Sequence, residues 1–145
     1  KYFMTNYNDT LLKEIEKRGM SVRSFADYVG IKDTTFRDLL RSENIMLRNA
    51  LKIVDKLGTS LDYFEKKTKT YECNFKKNYT VNLYKSLKEY LALNKVSYTR
   101  LCSEAKISKA NLSRWQQGGE PKYQTIVNLA NYFNVSIDKF IGRVD

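Results

Sequence analysis

The sequence predicts an all-α protein of two tandem helical domains of about five helices each, residues 1–65 and 81–145, joined by a basic linker over 66–80. Three observations carry this expectation. Apolar residues recur at three- and four-residue intervals through most of the chain, and the strict alternation of a half-buried strand is scarce. A shift of 76 positions aligns the two halves without a gap, bringing Leu11 onto Leu87, Ser21 onto Ser97, Ile31 onto Ile107, Phe36 onto Leu112, and Ser60, Asp62 and Phe64 onto Ser136, Asp138 and Phe140. A period this long means two copies of a small domain, not a solenoid. Finally, serines precede several of the periodic runs, where a side-chain oxygen can accept from the first free N–H groups of a helix.

In the first copy the spacing predicts helices over 9–18, 22–29, 33–40, 48–57 and 61–66, with Ser21 and Ser60 as caps. Ala26 is small enough for close helix approach, Gly30 permits a left-handed turn, and Ile31 plugs it. In the second copy helices are expected over 83–93, 98–105, 109–117, 123–133 and 137–141, with Ser97, Ser108 and Ser136 as caps. Cys102 takes the place of Ala26, and Lys106 replaces Gly30 at some conformational cost. Leu112 and Trp115 are spaced as core residues of the third helix. The stretch KKTKTYECNFKKNYT between the copies has no helical period and reads as a linker or a short strand.

Composition narrows the function. The chain of 145 residues lacks histidine entirely, which removes the commonest general base and the commonest metal ligand. No metal site, cofactor or enzymatic activity is expected, because no nucleophile, pocket or phosphate-binding glycine loop accompanies the scattered carboxylates. Cys73 and Cys102 are expected as free thiols, with Cys102 in the core. No apolar run spans a bilayer and no secretion signal is evident, so a cytoplasmic protein without a membrane partner is expected. The net charge of +10 suits a polyanionic partner. It is unevenly placed: residues 1–65 carry +1, 66–80 carry +4 and 81–145 carry +5.

A short helix, a tight turn and a second short helix, followed by GTSLDYF in one copy and NVSIDKF in the other, resemble the Cro/CI-type (XRE, lambda-repressor-like) helix-turn-helix family. Gly118, Gly119 and Pro121 are similar to that family's loop after its recognition helix. The resemblance covers both copies and implies two tandem lambda-repressor-like helix-turn-helix domains. It further implies that the third helix of each enters the major groove of double-stranded DNA while the start of the second touches phosphate.

Carried onto the second copy, the base-facing positions are Lys109, Ala110 and Arg114, flanked by Ser108, Asn111, Ser113 and Gln117. Lys and Arg can donate to guanine, Asn and Gln can pair with adenine, and Ala can touch a thymine methyl. The polar residue, often Gln, with which the family opens its second helix and binds phosphate is missing from both copies; in the second copy Tyr98 stands there and can donate through its hydroxyl, with Thr99 and Arg100 beside it. In the first copy the phosphate-contact position is Val22, beside Arg23, and the base-facing positions are Asp33, Thr34 and Asp38. Lys32, Thr35, Arg37 and Arg41 offset these two acids without reversing them, so the second copy is expected to be the main reader. The expected function is a sequence-specific, double-stranded DNA-binding transcriptional regulator, an activator or a repressor. The alternative is a protein-binding module or inhibitor that reuses the scaffold through its first copy. A homodimer pairing two second copies on an inverted repeat fits the same reading.

Overall fold

The computed structural model describes residues 2–42 and 44–145, and these form ten α-helices in two compact units, Lys1–Asn74 and Phe75–Asp145. The first unit contains α1 (Asn6–Lys17), α2 (Val22–Val29), α3 (Asp33–Arg41), α4 (Leu47–Leu57) and α5 (Leu61–Phe64). Its core holds Leu11, Phe25, Ala26, Phe36, Leu40, Ile53 and Phe64, all inaccessible to water. Helix α1 begins three residues before the sequence suggests. Thr5 caps it by accepting from Asn8 N at 3.1 Å, and Tyr7 turns inward to donate to the Ala50 carbonyl at 2.8 Å.

Within this unit Glu14 is buried and is met by Arg18 at 2.6 Å and Lys17 at 3.1 Å. Burial opposes the Glu14 charge, but the hydrogen bonds from Arg18 and Lys17 outweigh it and hold the carboxyl below the ordinary glutamate range. Arg18 also donates to the Tyr71 hydroxyl at 2.9 Å, which ties residues after α5 back to α1.

The second unit contains α6 (Leu83–Asn94), α7 (Tyr98–Ala105), α8 (Ala110–Gln116), α9 (Tyr123–Phe133) and α10 (Ile137–Phe140). Ser97 and Ser136 cap α7 and α10 by accepting from Arg100 N and Lys139 N. Trp115, Leu87, Leu101, Ile126, Leu129 and Phe140 fill the core. Tyr90 lies over Phe133 and Phe140, with ring centroids 5.5 and 5.3 Å away.

Left-handed residues recur at the same offset as the sequence repeat. Gly19 and Lys95, Gly30 and Lys106, Gly58 and Asn134, and Lys66 and Gly142 all have φ between 54° and 84°. In three pairs the partner of the glycine is a lysine, which accepts this conformation at a steric cost of about 1–2 kcal/mol, and in the fourth it is Asn134, which visits it more readily. The turn geometry persists without its glycine, so tertiary packing, not local preference, sets it.

Segment 66–80 forms no strand and divides between the units. Thr59 Oγ1 donates to the Tyr71 carbonyl, and Cys73 N donates to the Gly58 carbonyl at 3.1 Å. In the second unit Phe75 covers Arg143, whose guanidinium carbon lies 4.1 Å from the ring centroid. Arg143 is fully buried and paired with Asp138 at 2.8 Å, while its carbonyl accepts from Lys76 N at 3.0 Å. Cys73 and Cys102 are free, with Cys102 buried.

Candidate nucleic-acid interface

The open N-terminal end of α8 is closed by two hydroxyls. Ser108 Oγ accepts from Ala110 N at 3.2 Å, and the Tyr98 hydroxyl accepts from Leu112 N at 3.1 Å. The same Tyr98 hydroxyl donates to the Lys109 carbonyl at 2.9 Å. Burial pushes its pKa up, and the neighbouring Cys102 thiol adds to the shift. Tyr98 stands at the start of α7 as the spacing requires, yet its hydroxyl is engaged within the domain. It positions α8.

From this anchored end, α8 turns Trp115 into the core and leaves Lys109, Ala110, Ser113, Arg114 and Gln117 exposed, with Asn111 half-buried. Arg114 donates to Asn111 Oδ1, so these two polar side chains form one unit on the helix surface. Leu112, expected in the core, is only half-buried, with one side open to a surface groove.

The double glycine ends the helix by a Schellman arrangement. Gly118 N donates to the Trp115 carbonyl at 3.1 Å and Gly119 N to the Arg114 carbonyl at 2.6 Å. Gly118 is left-handed at φ +82°, and a Cβ on Gly119 would sit 2.8 Å from the Arg114 carbonyl oxygen. Neither position tolerates a side chain without strain.

Beside α8, Thr99 and Arg100 are exposed on α7. Arg100 pairs with Glu104 at 3.2 Å, and Glu104 also accepts from the Tyr132 hydroxyl. The Tyr132 hydrogen bond, followed by Arg100, holds the Glu104 carboxyl below its ordinary range. This triad links α7 to α9 and fixes where Arg100 stands.

The corresponding surface of the first unit differs. Lys32, Thr34, Thr35, Asp38 and Arg41 are exposed on or beside α3, and Arg23 is exposed on α2. Arg37 lies 3.1 Å from both Asp33 oxygens. Lys32, the residue before α3, makes no side-chain cap hydrogen bond, and Val22 offers no hydroxyl where the second unit has Tyr98. The first unit carries 14 Lys and Arg against 11 Asp and Glu, whereas the second carries 12 against 5. The cationic surface therefore belongs chiefly to the unit that holds α8.

Two features of the second unit escape residue spacing. The buried Arg143 looks like an ordinary surface cation in GRVD, and only the packing of Phe75 over it reveals its burial. The tyrosine cap of α8 joins residues 14 apart, beyond any local signature. Among the described residues no group of His, Cys, Asp and Glu could hold a metal ion, and no helix is long and apolar enough to cross a membrane.

Residues 86–145, which lie in the second unit, match the family model described as the Cro/C1-type HTH DNA-binding domain. No curated protein and no solved structure matches the chain.

Proposed function

We propose, from the premise that residues 86–145 form a Cro/C1-type HTH domain, that the chain is a sequence-specific regulator that binds double-stranded DNA chiefly through this domain. The observation that carries the reading is the α8 surface, where Lys109, Ala110, Ser113, Arg114 and Gln117 are exposed together around a buried Trp115. Arg114, steadied by Asn111, reads guanine, Lys109 reads beside it, and Ala110 admits a thymine methyl. Ser108 and Tyr98 hold the helix end in place, while Thr99 and Arg100 meet phosphate and set register.

The first unit is the second tandem helix-turn-helix in this proposal, since its five helices follow in the same order. Its α3 carries Asp33 and Asp38, so protein contact suits it better than a phosphate-lined groove. It packs on a protein partner or a second chain, and two second units then share an inverted repeat.

Selection of binding sites from random duplex DNA by the intact chain tests the reading. An enriched motif is expected, palindromic for a homodimer, with affinity falling by orders of magnitude between about 50 and 200 mM salt. No enriched motif, together with capture of a protein partner, would leave the protein-binding module as the function.

A further inference from the structure

The half-burial of Leu112 has a counterpart in the first unit. There the equivalent residue, Phe36, is fully buried and packs on Phe25 with ring centroids 5.8 Å apart. In the second unit both aromatics are leucines, Leu101 and Leu112. Leu101 remains fully buried, and Leu112 lines an open surface groove of about 410 Å³. Its lining combines the apolar Leu91, Ala92, Val96 and Leu112 with Lys88 and Lys95, together with Ser97 and Tyr98. None of its lining residues carries a carboxylate.

We infer that this groove binds a small amphipathic monocarboxylate, its apolar tail against Leu91, Val96 and Leu112 and its carboxylate met by Lys88 and Lys95. The volume lies within the range of small-molecule sites, and the lining pairs an apolar contact surface with polar groups that can fix orientation. The charge of the two lysines selects an anion, since an uncharged tail alone gains nothing from two ammonium groups. An occupant touches Leu112 on α8 and Tyr98, which caps α8, so it contacts the two side chains that set that helix. The binding itself is independent of the DNA-binding reading.

Octanoate is the probe, titrated without DNA into the intact chain and followed by amide chemical shifts and by the fluorescence of Trp115, the single tryptophan. Saturable binding with a Kd below about 1 mM is expected, with shifts centred on the α6–α7 turn and α8. The paired substitution Lys88→Gln and Lys95→Gln should weaken it about tenfold or more, and octanol should bind correspondingly worse than octanoate. Leu112→Phe, which copies the first unit, should fill the groove and abolish binding while leaving the helical circular dichroism intact. If that variant does not fold, the lysine pair decides alone. No saturable binding, equal binding of octanol, or binding indifferent to the lysine pair would each overturn the assignment.

Discussion

The Tyr98 hydroxyl accepts the Leu112 N–H at 3.1 Å and donates to the Lys109 carbonyl at 2.9 Å, so one side chain from α7 closes the first turn of α8. Tyr98→Phe removes both bonds while keeping the ring. A loss of about 1–3 kcal/mol in stability is expected, with faster exchange of the Leu112 amide. The salt slope of DNA binding should stay unchanged, because a phosphate contact would lower it by about one. A reduced slope with unchanged stability would return Tyr98 to the phosphate-contact role.

Gly119→Ala places a Cβ 2.8 Å from the Arg114 carbonyl oxygen, an atom of rigid helix backbone. The second unit should lose about 1–3 kcal/mol by denaturant unfolding. A neutral outcome would mean that the end of α8 shifts freely, contrary to the Schellman bonds that hold it.

Arg114→Ala is expected to cost about 1–3 kcal/mol on the selected site and much less on random duplex DNA. Equal losses on both would make Arg114 a backbone contact. Asn111→Ala, which removes the acceptor for Arg114, should lower discrimination in the same direction and by less.

Arg143→Ala leaves Asp138 buried without the guanidinium 2.8 Å away. A loss of about 3–5 kcal/mol is expected, since removing one partner of a buried ion pair is strongly destabilising. Thermal unfolding should register it in the second unit, while a surface arginine would register almost nothing.

Glu14 contributes to stability with a definite pH sign. Its native carboxyl titrates below the ordinary glutamate range, through Arg18 and Lys17 acting against burial. Its contribution is therefore complete above the unfolded-state pKa and is lost as pH falls through the lowered native value. Glu14→Gln should unfold with a shallower acid dependence than the parent chain. Identical acid slopes in the two proteins would exclude Glu14 as a source of that dependence.

Helix content, order and most boundaries are legible without coordinates. The α2, α7 and α9 bounds, Val22–Val29, Tyr98–Ala105 and Tyr123–Phe133, coincide with the expected ones, and Ser21, Ser60, Ser97 and Ser136 all cap as read. These are local properties. Apolar periodicity and a cap oxygen act over three or four residues, which is the range a sequence displays directly. The candidate reading surface follows for the same reason, because a buried Trp115 determines which α8 positions remain outside.

What only tertiary structure decided depends on residues distant in the chain. Tyr98 can donate to phosphate or cap α8, and the choice rests on an amide 14 residues away. Arg143 is an exposed cation or a buried one according to whether Phe75 reaches it. Leu112 suits a core by its spacing, yet it is only half-buried and lines a surface groove, which periodicity cannot register. Spacing reports which face a side chain takes, whereas burial depends on whether the surrounding volume is filled.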